Sequence, residues 1–150
     1  MRIAVGSDHA GFEEPPPYYK PEIIRHLESL GHEVVDCGTN GPASVDYPDY
    51  AKLVCETILA GKADRGVLIC GTGLGIAMKA NRYKGIRAAP VCSADAAVLS
   101  RTHNNANVLC LGRRLTSLDD CFKLIAVWLA TPFSEGERHV RRIQKLDLAD

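Results

Sequence analysis

The chain lacks net charge: 18 Lys and Arg balance 18 Asp and Glu over 150 residues. With no overall attractive field it is a poor match for nucleic acid or an anionic membrane surface, although local basic clusters remain open to it. It also lacks any apolar run of the ~18 residues that a membrane span requires. The opening Met1-Arg2-Ile3-Ala4-Val5 turns apolar at once and breaks at Gly6, too short for the core of a secretory signal. Internal repeats and a second domain are missing. The one low-complexity patch is Pro15-Pro16-Pro17-Tyr18-Tyr19-Lys20-Pro21. These absences leave a single soluble domain, residues 1–150, expected in the cytoplasm. A chain of this length buries about 68–70% of its unfolded surface and needs neither disulfides nor metals for its core.

Cysteine is present, but without a framework. Cys37, Cys55, Cys70, Cys92, Cys110 and Cys121 include no C-x-x-C spacing, and most lie in apolar segments such as Val67-Leu68-Ile69-Cys70. They read as free, buried thiols of a reducing compartment, with at least one expected to escape that description.

Short apolar runs alternate with amphipathic stretches. The runs are Ile3-Ala4-Val5, Glu33-Val34-Val35-Asp36, Gly66-Val67-Leu68-Ile69, Arg87-Ala88-Ala89-Pro90-Val91 and Asn107-Val108-Leu109-Cys110-Leu111. Helical patterning occupies roughly 21–30, 48–61, 74–82, 94–103, 117–131 and 135–148. Such alternation predicts a three-layer α/β/α sandwich: a five-stranded parallel, Rossmann-like sheet plus a C-terminal helix. Residues 66–69, apolar without alternation, read as a central strand, and Pro90 as the weak point of its own. Pro48 suits the start of a helix. Ser117-x-x-Asp120 approximates a capping box, and Ser134-x-x-Glu137 matches one after the Thr131-Pro132 stop.

In open parallel sheets, ligands bind at the carboxyl ends of the strands. That edge is loaded here. Strand one delivers Ser7-Asp8-His9, and strand three delivers Cys70-Gly71-Thr72-Gly73-Leu74-Gly75. Gly71, Gly73 and Gly75 allow backbone N–H groups to converge on an anion; an ordinary tight turn would look the same. No Gly-Lys-Ser/Thr follows, and the spacing is not Gly-x-Gly-x-x-Gly, so a small anion fits better than a nucleotide pyrophosphate. A thiol at a helix start, or beside cations, becomes reactive, which singles out Cys70. With the Thr72 hydroxyl and the loop amides it makes the set needed to remove a carbon-bound proton and hold an enolate. Asp8 and His9 could merely cap the next helix, but strands one and three are expected neighbours, which draws them toward the glycine loop. Arg101-Thr102-His103-Asn104-Asn105 ends a helix at the opposite edge and reads equally as helix termination. Arg138 and Arg142 stand four apart on one helical face, either a phosphate clamp or a solvated basic face. Arg113 and Arg114 follow strand five on the loaded edge.

Taken together, Ser7-Asp8-His9-Ala10-Gly11-Phe12, Val45-Asp46-Tyr47-Pro48-Asp49-Tyr50-Ala51, Cys70-Gly71-Thr72-Gly73-Leu74-Gly75-Ile76, Ala80-Asn81-Arg82, Gly85-Ile86-Arg87-Ala88, Ser100-Arg101-Thr102-His103-Asn104 and Arg138-His139 resemble ribose-5-phosphate isomerase type B. The likeness runs in order over essentially the whole chain. The same superfamily holds the galactose-6-phosphate isomerase subunits and isomerases of allose and four-carbon sugar phosphates. The resemblance implies aldose–ketose isomerisation of a sugar phosphate through a cis-enediolate, with no metal and no organic cofactor. It implies Cys70 as the base, since Leu74-Gly75-Ile76-Ala77 offers none of the glutamate used in other branches. Thr72 would pass the proton between oxygens, and the amides of residues 71–75 would hold the enediolate. His103, with Asp8, would open the furanose ring. His9, Arg138 and Arg142, with Arg114 as a further candidate, would bind phosphate, and Asn104 the sugar hydroxyls. It also implies a homodimer with a shared active site, possibly paired into a tetramer, in which a second copy supplies His103 and the terminal arginines.

One departure stands out. Residues 13–21 carry four prolines and make this segment about five residues longer than the family pattern. The expectation is a loop insertion over 15–21, with helix one beginning near Pro21-Glu22. That loop could cover the site, alter substrate preference, bind a peptide partner or be neutral. Two other readings stay open: an isomerase of allose 6-phosphate, galactose 6-phosphate or a tetrose phosphate, and a phosphate- or nucleotide-binding module with Cys70 as a redox sensor.

Overall fold

The five apolar runs become five strands: β1 Arg2–Ser7, β2 Glu33–Asp36, β3 Arg65–Cys70, β4 Ala88–Pro90 and β5 Val108–Gly112. In this computed structural model, which describes residues 1–148, they form one sheet in the order β2-β1-β3-β5-β4, every pairing parallel. Six helices follow in sequence: α1 Tyr19–Ser29, α2 Tyr47–Leu59, α3 Leu74–Ala80, α4 Ala94–Thr102, α5 Leu118–Ala130 and α6 Glu137–Asp147.

Side chains alternate across a strand, so each central strand feeds both faces. Ile3, Val5, Val67, Ile69, Leu109 and Leu111 meet α1, α4 and α5, whose Ile23, Leu27, Ala97, Ile125 and Trp128 complete that core. Ala4, Leu68, Cys70, Val108 and Cys110 meet α2 and α3 through Val54, Cys55, Ile76 and Ala80. The second layer is the thinner one. A Cβ at Gly6 or Gly66 would stand 2.7 Å from a Val54 methyl, so α2 seats on bare backbone. The three-layer sandwich expected from the alternation is what forms, with β3 central and buried. β4 pairs only with β5, and at that edge Pro90 removes a donor from no second neighbour.

Three local expectations are corrected. Helix one begins at Tyr19, not near residue 21, and Pro21 is its third residue. The first four N–H groups of a helix have no intrahelical acceptor, so proline fits there without loss. Ser134 does not cap α6, whose N-cap is Gly136. Its hydroxyl donates instead to the Thr102 carbonyl at 2.6 Å. All six cysteines are free, but Cys92 is exposed, because it lies just past the end of the edge strand β4. At the other start Ser117 does cap α5, its hydroxyl accepting from the Asp120 amide at 3.2 Å and donating to the Asp120 carboxylate at 2.9 Å.

Candidate active site

The order β2-β1-β3-β5-β4 makes β1 and β3 neighbours leading to opposite sides of the sheet, the position where loops diverge and leave a crevice. Asp8 leaves β1 there. Its amide donates to the Ile69 carbonyl at 3.2 Å, and its carboxylate accepts from the Ala10 amide at 2.9 Å, capping a 3-10 turn over His9–Phe12. Asp8 is 6% exposed. Burial raises its pKa above the ordinary carboxylate value, opposed by the Ala10 amide and by His9 and Arg114. The His9 ring accepts at Nδ1 from the Val45 amide, 3.3 Å away, which fixes its direction.

Beside this turn, β3 delivers Cys70. Cys70 is 4% exposed, and its sulfur accepts from the Gly73 amide at 3.1 Å, so the loop curls around it. That curl needs glycine at residue 73, whose φ is +77°. Thr72 follows the thiol by two residues, and its hydroxyl accepts from the Leu74 amide at 3.3 Å. A Cβ at Gly112 would stand 2.6 Å from the Thr72 carbonyl, so β5 braces the loop from behind. A Cβ at Gly75 would stand 2.7 Å from Tyr47 Cζ, placing that ring against the loop from the α2 side.

β5 adds two arginines. The Arg113 amide donates to the Cys70 carbonyl and the Arg114 amide to that of Gly71, both at 2.9 Å. The Arg114 guanidinium reaches back over Gly71 and is taken by the Glu13 carboxylate, with Nη2 at 3.0 Å. This contact holds the Glu13 carboxyl below its ordinary range. Arg113 turns away, its guanidinium 4.4 Å from the Tyr19 ring centre.

The remaining expected residues gather elsewhere. α4 starts beyond the carboxyl end of β4 and ends where the chain enters β5, so His103 caps it at the amino edge. Asn105, at φ +46°, makes the left-handed turn that follows. Arg101, 5% exposed, holds the turn from within: Nη1 donates to Asn105 Oδ1 at 2.8 Å and the Ala106 carbonyl at 2.7 Å, and Nε to the Thr131 carbonyl at 3.1 Å. Burial lowers its pKa to about 10. Through Thr131 and Ser134 the same turn carries α6. There His139 stacks on His103 with ring centres 4.4 Å apart and 12° between planes. Burial lowers the His139 pKa, with His103, Arg138 and Arg142 adding to the effect. The neutral imidazole then accepts from Arg138 Nε at 3.3 Å. Asn104 and Arg142 line one cavity of about 630 Å³ between α6 and the residues before β4.

Two clusters result. Asp8, His9, Cys70, Gly71, Thr72, Gly73, Gly75 and Arg114 share the carboxyl edge. His103, Asn104, Arg138 and Arg142 share the amino edge, with the sheet between. Among the described residues no group of three His, Cys, Asp or Glu side chains is placed to hold a metal, and no helix is long and apolar enough to cross a membrane.

The family model for ribose/galactose isomerases matches residues 3–146, both clusters included. The chain belongs to this family. Among relatives of the ribose/galactose isomerase family, ribose-5-phosphate isomerase B of Escherichia coli is 41% identical over 145 residues, covering 97% of this chain and 93% of that protein. The structure of ribose-5-phosphate isomerase B from Clostridium thermocellum superposes with a TM-score of 0.92 at 45% identity, over 98% of this chain and 95% of the other. The enzyme of the same name from Thermotoga maritima gives 0.91 at 50% identity, covering 97% of each chain.

Two residues at this isomerase's carboxyl edge were given no role by the sequence. Tyr47 stands in the Val45–Ala51 segment, yet only the tertiary approach of α2 puts it over Gly75. Glu13 carried no signal, since its partner is 101 residues away.

Proposed function

We propose that this isomerase interconverts ribose 5-phosphate and ribulose 5-phosphate by proton transfer through a cis-enediolate. The observation that carries the reading is the Cys70 sulfur inside a loop of three glycines, with the Gly73 amide on it and the Thr72 hydroxyl two residues on. The names of the E. coli, C. thermocellum and T. maritima relatives support ribose 5-phosphate as the substrate.

In the open-chain aldose, Cys70 as thiolate takes the proton from C2. The electron pair moves into the C1–C2 bond, and the carbonyl oxygen at C1 gains negative charge. The amides of the loop are already fixed by the fold, so they stabilise that oxygen without reorganising. Thr72 relays a proton from the O2 hydroxyl to O1, and the thiol returns its proton to C1, leaving the ketose. One side chain removes and restores the proton, so the cycle closes without a cofactor. His103 acts with Asp8 in opening the furanose. Asn104 contacts sugar hydroxyls, while His9, Arg138 and Arg142 hold the phosphate, which Arg114 borders.

Support for a homodimer comes from the separation of the clusters. His103, Asn104, Arg138 and Arg142 lie across the sheet from Cys70, so a second copy must bring its amino edge to this carboxyl edge. Each dimer then holds two composite sites.

Solvent deuterium exchange at C2 of ribose 5-phosphate tests the chemistry. The wild type should exchange and isomerise, whereas Cys70→Ala and Cys70→Ser should lose roughly 10²–10⁴-fold in both while still binding the sugar phosphate. Failure of the wild type on ribose, allose, galactose and tetrose phosphates alike would reject the reading.

A further inference from the structure

One buried cation has no part in the chemistry described above. Lys20, the second residue of α1, is 1% exposed. Taking an ammonium out of water is costly, and an apolar side chain of similar volume in its place is often neutral or stabilising. Packing alone therefore does not call for a charge at this position, and what the ammonium holds becomes the question. Its stem passes under the 3-10 turn that carries His9: a Cβ at Gly11 would stand 3.0 Å from Lys20 Cβ. The head has three donors to place. It pairs with Asp36 Oδ1 at the end of β2 and donates to Asn40 Oδ1 at 2.8 Å. The Phe12 ring, its centre 5.8 Å from Nζ, covers a further side.

Both acceptors lie on the path from β2 to α2, and that path runs along the site. Asp36 Oδ1 also accepts from the Gly38 amide at 2.8 Å. The next two residues pair with Ser7, directly before Asp8. The Ser7 amide donates to the Gly38 carbonyl at 2.7 Å, and the Ser7 carbonyl accepts from the Thr39 amide at 2.6 Å. Asn40 follows, tied to Lys20. After it come Gly41, Pro42, Ala43 and Ser44, which make no hydrogen bond among the described residues. The chain is caught again at Val45, whose amide donates to His9 Nδ1. Asn40 is thus the last point at which this segment is held before it reaches the imidazole. With an amide on Nδ1, the proton of the neutral His9 ring stands on Nε2, a donor on the far side of the ring.

We infer that Lys20 is a positioning residue: from beneath the His9 turn its ammonium pins Asp36 and Asn40, and the segment so anchored holds the His9 ring with Nε2–H turned to the substrate phosphate. The charge is buried where it ties the two sides of the phosphate site together, the turn after β1 and the segment after β2. This inference rests on the isomerase reading, in which His9 binds phosphate.

The test uses the full chain with ribose 5-phosphate as substrate and inorganic phosphate as competitor. Lys20→Met keeps the length of the stem and removes the ammonium, and Asp36, with 42% of its side chain exposed, is left to water. KM should rise about five- to tenfold and the inhibition constant of phosphate by the same factor, with kcat within about twofold, because the lost interaction is made equally in ground and transition states. Asn40→Ala, at an exposed position, should move both constants the same way by about threefold, its melting temperature within about 2 °C of wild type. The KM of His9→Ala should not worsen when Lys20→Met is added. The ring nitrogens of His9, followed by 15N NMR, should pass from a single Nε2–H tautomer in wild type to a mixture in either variant, a change that a purely structural lysine would not cause. Should Lys20→Met fail to fold, Asn40→Ala decides by the same readouts. An unchanged KM, a loss confined to kcat, KM penalties that multiply with His9→Ala, or an unaltered His9 tautomer would each overturn the inference while leaving an active wild type. A wild type inert toward every sugar phosphate rejects the isomerase reading itself.

Discussion

Asp8 is a carboxylate held where ionisation costs free energy. It is nearly buried and its pKa is raised, chiefly by loss of solvent. Folding therefore favours its protonated form. The stability this gives is fully present below about pH 3.8 and is lost as pH rises through the folded-state value, so at neutral pH the ionised group is a net penalty. Asp8→Asn keeps an oxygen for the Ala10 amide and removes the charge. It should melt higher than wild type at pH 7, the gap closing as pH falls toward 4, while isomerisation of the cyclic sugar collapses. Thermal melts across that range and activity assays check both halves. A site built at the expense of stability is common where function fixes the residue. Residues of this kind were partly legible: Asp8 and Cys70 stood at strand ends, where chemistry is expected. Glu13 and Tyr47 were not, because their partners Arg114 and Gly75 lie far along the chain and no local pattern records the pairing.

At the scale of elements, β5 does more than complete the sheet. Gly112 ends it against the Thr72 carbonyl, and Arg113 and Arg114 tie the loop carbonyls on the same side. Gly112→Ala puts a methyl 2.6 Å from that carbonyl oxygen and 2.7 Å from its carbon, against backbone rather than a flexible side chain that could yield. It should destabilise the fold by about 1–3 kcal/mol, and the displaced loop should lose activity beyond what the melting shift explains. Calorimetry and kcat measured well below the melting temperature separate the two. The strands were readable from their apolar runs, since a buried central strand such as β3 declares itself by composition. Helix ends were less so. Ser134 carries the spacing of a cap, but its hydroxyl goes to Thr102, a tertiary partner that spacing cannot reveal. Pro21 looked like the start of helix one and proved to be its third residue, inside a first turn that opens at Tyr19.

For the molecule as a whole, the sheet that organises the fold also keeps the two clusters apart. Under the proposed shared site, Cys70→Ala and His103→Ala damage different halves of each composite centre. Neither variant works alone, yet a mixed dimer regains one intact site of its two. Random exchange between equal amounts should restore about a quarter of wild-type activity. No recovery in verified heterodimers would count against sharing. If the site is shared as proposed, the same separation bears on inheritance. A copy altered on one edge alone leaves a wild-type partner half active, so the loss is merely proportional to dose. A copy altered on both edges silences every dimer it enters. Equal expression of it with wild type should then leave about a quarter of the activity rather than half. Genetic dominance in this protein would depend on whether the lesions in one chain fall on one side of the sheet or on both.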